Sequence, residues 1–413
     1  MSKHAAATHS FDVAIVGGGM VGATLGVALA PLKLRMALIE SVPQTSAAQP
    51  SFDERTTALS NGSRRILETL GVWQEVSPVA TAIAKIHVSD QGHFGFARID
   101  AAEQGLAAMG YVVPNRALGN VLWPRLLQSA GLRTFCPAEV GEITAGEAAV
   151  GLTVVEAGAE IKIDAKLIVA ADGVQSVVRR AFGVEAQVRD YEQTAIITTV
   201  LPQRFHDNVA YERFTPSGPL ALLPLENGRC ALVLTLAPAM AQSAMAWSDR
   251  EFLAEVQRRF GFRLGRFLKV GRRVPYPLSM SRATQTSKGR CVIIGNAAQG
   301  LHPVAGMGFN LGLRDVASLA ELIADRGQSD SDPGSPRLLA EYDAWRAADR
   351  RGVIAFTDGL VRVFANPLRG VQRLRNLGLL AFDLLPPAKA ALSRLSTGAN
   401  GRVPKLARGV PLR

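Results

Sequence analysis

Hydrophobic and polar positions along the chain follow two different rhythms. Residues 11–16 (FDVAIV) form a short apolar run rich in β-branched side chains, which stops at Gly17-Gly18-Gly19-Met20-Val21-Gly22 and is followed by the helix-compatible ATLGVALAPL. That order predicts a strand, a tight turn and a helix. The next apolar run, residues 36–40 (MALIE), ends in an acid and closes a first βαβ unit of about 30 residues. Residues 166–171 (KLIVAA) stop at Asp172-Gly173, and residues 291–294 (CVII) stop at Gly295-Asn296. All three read as buried parallel strands whose carboxyl ends carry glycine and polar residues, where open α/β sheets bind ligands. Three strand ends far apart in sequence are thus expected to converge on one ligand.

Between these runs the pattern is that of short alternating strands. Residues 194–201, 209–214, 220–225 and 229–236 predict an antiparallel sheet inserted into the nucleotide-binding fold, and Glu226-Asn227-Gly228-Arg229 carries the Asn-Gly signal of a two-residue hairpin. A helical stretch with apolar spacing follows from about Ser335, and Pro386-Pro387 breaks the last part. No internal repeat or low-complexity segment is evident.

Composition narrows the class. At 413 residues, with 48% hydrophobic and 20% charged residues, the chain can bury a sizeable core and lies far from the composition of disordered proteins. Cys136, Cys230 and Cys291 show no CxxC spacing, so neither a zinc site nor a disulfide framework is expected, which points to a reducing compartment. The first residues carry no apolar leader segment and no stretch reaches the ~20 apolar residues needed to span a bilayer. The expected location is the cytoplasm, with peripheral contact to the inner face of the membrane as a companion expectation. After Leu360 there are ten Lys or Arg, among them Arg362, Arg375, Lys389, Arg394, Arg402 and Lys405, against the single acid Asp383, within a net charge of +11. Aromatics are few there and no groove-reading motif is present, so an anionic membrane surface or a protein complex fits better than nucleic acid. A solvated basic face is the plain alternative.

Chemistry enters with three motifs. In GGGMVG the glycines allow a tight turn, close approach of backbone to a pyrophosphate, and close packing of helix on strand. The residues so implicated are Gly17, Gly19 and Gly22. Glu40, 18 residues after Gly22, can accept hydrogen bonds from an adenosine ribose and favours FAD or NAD over NADP. Asp172-Gly173, followed by a helix carrying Arg179, is ambiguous alone, since Asp-Gly is a common turn. In the third segment, CVIIGNAAQGLHPVAGMGFNLGLRD at 291–315, a glycine-containing loop leads to a helix expected to begin near Asn310. Free N–H groups at such a helix start can stabilise negative charge on a bound ring system.

These motifs, in this order, resemble the class A flavoprotein aromatic hydroxylases, and the last segment resembles specifically the ubiquinone-biosynthesis hydroxylases. DERTTALS at 53–60, Pro114-Asn115-Arg116, FTDGLVRVFANPL at 356–368 and GRVPKLARG at 401–409 extend the resemblance over nearly the whole chain. The nearest subtype is that acting on 2-octaprenyl-6-methoxyphenol. The fold implied is α/β: a Rossmann-like FAD-binding domain with an inserted antiparallel-sheet substrate domain, similar to p-hydroxybenzoate hydroxylase, and C-terminal helices. The divisions expected are 1–75, 110–185 and 280–330 for the FAD-binding domain, 76–109 and 186–279 for the substrate-binding sheet, and 331–413 for the helical region.

The activity implied is hydroxylation of the ring of a polyprenyl phenol, with FAD as cofactor, NAD(P)H as a transient reductant and O2 attacking through a flavin hydroperoxide. No second GxGxxG offers a dedicated nicotinamide domain. The cofactor-binding residues implied are Gly17, Gly19, Gly22, Glu40, Arg55, Arg116, Asp172, Gly173, Gly295, Asn296, Pro303, Gly306, Met307, Gly308 and Asn310. Asn296 stands where the wider class has Asp, and Met307 where the family usually has Gln. His302 and Arg55 are the residues near the flavin loop that could act catalytically, a loop-orienting role being the stronger reading for His302. No metal or Ser-His-Asp constellation is expected. Ala221, Leu222, Leu223 and Leu225 could line an apolar access path or simply be core, and Leu379, Leu380, Phe382, Leu384 and Leu385 could dock on lipid or on partner enzymes. Hydroxylation of another phenol or ring position, a flavin-binding scaffold subunit, and a prenyl reductase that consumes no oxygen are the alternatives.

Overall fold

A computed structural model describes residues 8–413 except 47–48, 54, 327–331, 367, 386, 390 and 393–400. Glu54, Pro386 and Arg394, singled out above, lie outside the described residues, as does the start of the chain.

The first sheet has eight strands with a parallel core. His9–Val16 lies between Met36–Ile39 and Ala159–Ala170, with Val13 level with both Met36 and Leu167, and Ile168 in turn pairs with Cys291 of Cys291–Ile293. The side chains of these strands are buried on both faces, which is why they read as continuous apolar runs. Ala159–Ala170 starts seven residues before the predicted 166. Its first half alternates exposed and buried positions because it forms an antiparallel ribbon with Val150–Glu156.

The second, nine-stranded sheet is largely antiparallel. Ala186–Pro202, Cys230–Leu236, Gly218–Pro224 and Val209–Thr215 are neighbours in that order, extended by Lys85–Asp90 and Phe96–Asp100. The Asn-Gly turn is present: Asn227 and Gly228 both have positive φ (60° and 70°), and the Arg229 N–H donates to Glu226 O at 3.3 Å. Leu225 N–H also donates to Arg229 O at 2.9 Å, so two residues oppose one and the turn carries a bulge. Val274–Ala283 escaped the sequence reading because Pro275 and Pro277 interrupt it; both sit opposite Ala186–Pro202 on a stretch with no strand on its other side, where a missing donor costs no ladder bond.

One face of this sheet is sealed. Ile196, Leu220, Leu222, Leu232 and Leu234 pack on Phe252, Val256 and Phe260 of the helix Asp249–Phe260, which opens with a Ser248–Glu251 capping box. Leu222 therefore belongs to this core, away from the half-buried Ala221 and Leu223 on the other face.

The helix Met307–Arg326 begins three residues before the position expected, because the chain turns at Gly306 (φ 59°) and Met307 is already helical. Pro336–Ala365 packs against it, with Ser335 at its N-cap position, and Arg369–Leu384 closes the helical region. The GRVPKLARG segment folds back onto these helices: Trp345 Nε1 donates to Arg402 O at 2.8 Å, and Thr69 Oγ1 to Leu406 O at 2.9 Å. The C-terminal cations are extensively paired, Arg375 with Asp90, Lys389 with Asp383, Arg402 with Glu321 and Glu341, and Lys405 with Asp325. Arg408 and Arg413 are exposed, so part of the basic tail faces solvent. No helix among the described residues is long and apolar enough to cross a membrane.

Candidate cofactor and substrate site

The three strand ends meet. Val16 is level with Ala170 and Ala170 with Ile293, so Gly17, Asp172 and Gly295 lie together at the carboxyl edge of the parallel sheet. The glycine turn is dictated by packing: a Cβ on Gly17 (φ 100°) would lie 2.5 Å from Ala171 O, and one on Gly22 would lie 1.9 Å from Gly17 O. Gly19 is the N-cap of the helix Met20–Leu29, and no side chain caps that helix start. Glu40 follows the end of its strand and reaches the same turn, accepting from Gly18 N–H at 2.5 Å and Val42 N–H at 2.8 Å.

Asp172 caps the short helix after it, its Oδ2 accepting from Val177 N–H at 2.8 Å. Its Oδ1 is buried without a partner, and burial pushes the carboxyl above the usual carboxylate range. Gly173 (φ 79°) makes the turn between them. Arg179, buried at 5% exposure, donates to Ala297 O at 2.8 Å and Val174 O at 2.9 Å, and so ties the second motif to the third.

Asp315 does the same from below. Fully buried, it accepts from Gly295 N–H (3.2 Å), Gln299 Nε2 (2.8 Å), Arg346 Nε (2.9 Å), and Arg350 Nε and Nη2 (3.2 and 3.0 Å). Burial pushes its pKa up, but Arg350 and Arg346 more than offset this and hold it ionised below the usual range. Gln299, Arg346 and Arg350 carried no sequence signal, because they come from other turns and a different helix.

The glycine loop is built from within. Asn310, 2% exposed, donates to Ala58 O at 2.8 Å and Gly306 O at 2.7 Å and accepts from Ser60 N–H at 2.8 Å. Its amide is thus fully engaged by the protein, and it positions the loop rather than offering a side-chain donor to a ligand. Met307 packs with Leu311 and Val353 in a small core, so its side chain also points away. His302 is 1% exposed; its Nδ1 accepts from Val304 N–H at 3.1 Å, which leaves the proton on Nε2, facing Gln193 Oε1 at 3.4 Å. Burial pushes its pKa down to about 4, so at neutral pH it is an uncharged loop brace. Pro303 and Asn296 are exposed, and Asn296 has no hydrogen bond of its own among the described residues. Arg55 pairs with Asp53 at 2.6 Å and lies 5.5 Å over the Tyr276 ring, between the two sheets; Arg116 is exposed in the first turn of the helix Asn115–Leu127.

Three features fit FAD. An uncapped helix start stands at the glycine turn, and Asp172 Oδ1 is a buried oxygen with no hydrogen-bond partner among the described residues. Gly308, in the first turn of Met307–Arg326, has no described atom beyond its chain neighbours and its own helix backbone within 4 Å of where a Cβ would be, so internal packing does not demand glycine there. Open space at this turn fits a ligand approaching the helix start. No group of His, Cys, Asp or Glu among the described residues could hold a metal ion.

Comparison with known proteins agrees. The family described as FAD binding domain matches residues 10–357. Ubiquinone hydroxylase UbiL of Rhodospirillum rubrum is 38% identical over 405 residues, covering 97% of this chain and 93% of that one. The 3-demethoxyubiquinol 3-hydroxylase of Escherichia coli is 30% identical over 373 residues, covering 90% and 94%. Among solved structures, p-nitrophenol 4-monooxygenase PnpA from Pseudomonas putida superposes with a TM-score of 0.78 over 96% of this chain and all of that one, at 19% identity, a likeness of fold. The chain belongs to the FAD-binding domain family and is an FAD-dependent monooxygenase related throughout its length to the ubiquinone hydroxylases.

Proposed function

We propose that this enzyme hydroxylates the ring of a polyprenyl phenol in ubiquinone biosynthesis, using NAD(P)H and O2. The observation that carries this reading is the end-to-end 38% identity to a ubiquinone hydroxylase. Bound FAD, reduced by the nicotinamide, supplies the activation of dioxygen. The residues that would hold it are Gly17, Gly19, Gly22 and Glu40 at the adenosine and pyrophosphate, Asp172, Gly173, Gly295 and Asn296 along the ribityl chain, and the backbone of Pro303, Gly306, Met307 and Gly308 at the ring. Arg55 and Arg116 flank this path, and His302 and Asn310 hold the loop in shape. The phenol belongs between that loop and the half-buried sheet face of Ala221 and Leu223, which excludes water.

An isoprenoid tail implies supply from a lipid surface. Arg369–Leu384 turns Leu379 and Phe382 inward and leaves Leu374 (70%), Leu377 (57%), Leu384 (77%) and Leu385 (52%) exposed along one side. This row suits an anionic membrane surface, given the chain's net charge of +11.

Oxygen uptake and product analysis with a short-chain analogue of 2-octaprenyl-6-methoxyphenol, against simple benzoates, test the reading. A hydroxylated prenylphenol is the expected product. Turnover of benzoates alone would shift the substrate class, oxidation of the prenyl chain or reduction without oxygen uptake would indicate a prenyl reductase, and FAD binding without phenol-stimulated NAD(P)H oxidation would indicate a scaffold.

A further inference from the structure

Among the described residues, one charged side chain on the half-buried face of the antiparallel sheet stands without a counter-ion. Glu212, in Val209–Thr215, is level with Val88 on one side and Ala221 on the other, so it shares their face. Around it that face is apolar, with Ile86, Leu223, Val233 and Ile197 all half-buried, in contrast to the sealed opposite face. Glu212 has no hydrogen bond or ion pair among the described residues. It keeps accessible surface, yet burial alone pushes its carboxyl up to about 7. Glu212 is thus a half-buried carboxyl with apolar neighbours on its face of the sheet.

This stretch of the sheet face packs against the flavin loop. Phe214, two residues on and on the same face, packs in one cluster with Val304 of the loop and with Val361 and Phe364 of Pro336–Ala365. Two residues of strand span about 7 Å, so the carboxyl is within reach of a ring held against the loop. The other charged groups on the elements packed here are already engaged: Asp90 with Arg375, Asp358 with Arg189 and Arg362, and Asp383 with Lys389. His302 is turned to Gln193, and Tyr191 OH lies 3.5 Å from Asp358.

We propose that Glu212 is a catalytic residue that takes the proton of the substrate's phenol hydroxyl as the ring is attacked; this rests on the reading that a phenol occupies this face. When a ring carbon ortho or para to the hydroxyl donates an electron pair to the incoming oxygen, the phenol O–H becomes strongly acidic. Its proton passes to the Glu212 carboxylate and the ring becomes a dienone. Loss of the C–H proton to water restores aromaticity, and Glu212 returns its proton to the same oxygen. The C–O bond forms as the O–O bond breaks; the second oxygen leaves at the hydroxide level and, with the proton lost from the ring carbon, becomes water, O2 being the oxidant and the nicotinamide the two-electron reductant. Carrying the proton in a water-poor pocket spares the phenol from needing bulk solvent.

The test compares wild type with Glu212→Gln as FAD-loaded enzyme, on whichever of a short-chain prenylphenol and a simple phenol the wild type hydroxylates. We expect kcat to fall by about 100-fold, with phenol affinity and FAD content within about twofold. We expect the wild-type acid limb near pH 7 to be missing in the variant. Independently of turnover, infrared difference spectra of the wild type should show a protonated carboxyl titrating near 7 that is missing from Glu212→Gln. A variant that keeps the acid limb, or loses phenol affinity while kcat holds, overturns the role. A wild type that hydroxylates neither phenol overturns both this role and the proposed function, whereas hydroxylation of the simple phenol alone overturns only the polyprenyl reading.

Discussion

Asp315→Asn is the substitution that should most clearly separate the scaffold of the site from its surface. All five partners of the Asp315 carboxylate are N–H donors, so an asparagine must turn its NH2 toward donors whichever way its amide is flipped. Arg346 and Arg350 are 3% and 6% exposed and cannot regain hydration. Arg346 keeps Asp349, and Arg350 keeps only neutral partners, Thr286 Oγ1 at 2.6 Å and Tyr342 OH at 2.5 Å. Removing one member of a buried ion pair costs about 3–5 kcal/mol, a large share of the ~5–15 kcal/mol that holds a domain together. The loss should appear as a lower urea midpoint of the apoprotein followed by far-ultraviolet circular dichroism. Because Gly295 and Gln299 lose their anchor with it, FAD affinity should fall in parallel. In a double-mutant cycle with Arg350→Met, the two losses should be non-additive by about 1–3 kcal/mol. A loss under about 1 kcal/mol that adds to that of Arg350→Met would refute the account of Asp315 as the charged keystone.

Other perturbations probe the ligand side. Gly308→Ala places a Cβ where, its own helix backbone and chain neighbours aside, no described atom lies within 4 Å, so the apoprotein should not be destabilised while FAD affinity, read by flavin fluorescence, drops about tenfold or more; equal affinity would mean that the cofactor does not approach this turn. His302 and His87 are both held near 4 by burial, Arg263 adding to the effect at His87, against an ordinary value of 6.5. Each folded-state pKa is depressed, so the stability is intact above pH 6.5 and is lost as pH falls toward 4, by about 3 kcal/mol per histidine. His302→Gln should remove about half of that loss in acid-unfolding curves, and an unchanged pH slope would show that His302 is not buried neutral. Leu374→Ser with Leu377→Ser should reduce co-sedimentation with anionic vesicles by about tenfold, without changing turnover of a soluble short-chain phenol; unchanged sedimentation removes this face as the lipid contact.

Much of the frame was readable because local rules are strong there. The run FDVAIV ending in GGGMVG can hardly be anything but a buried strand entering a tight turn, and it forms His9–Val16 and Met20–Leu29. Asn227-Gly228 made its hairpin because only such residues accept two successive positive φ angles cheaply. The first half of Ala159–Ala170 and the strand Val274–Ala283 were not readable in the same way. The former is a strand because it forms a ribbon with the neighbouring Val150–Glu156, which carries no continuous apolar run, and the latter pairs with the distant Ala186–Pro202 along an edge that tolerates proline.

At the site, the order of residues along the chain placed the glycines, the terminal acid Glu40 and the loop from His302 to Gly308 at turns and strand ends. It did so because backbone turns and strand ends are set by neighbours in the chain. Which of these groups face a ligand was decided only by the tertiary structure. Asn310 and Met307 are drawn inward by Ala58, Ser60 and Val353, Leu222 is folded onto the helix Asp249–Phe260, and Arg402 and Lys405 of the basic tail are paired with acids of the helix Met307–Arg326. The same holds for Asp315 and Glu212. Each is one acid among many in the sequence; burial beside two arginines keeps the first ionised, while burial without a counter-ion raises the second, because the free energy of a charge depends on what packing places around it.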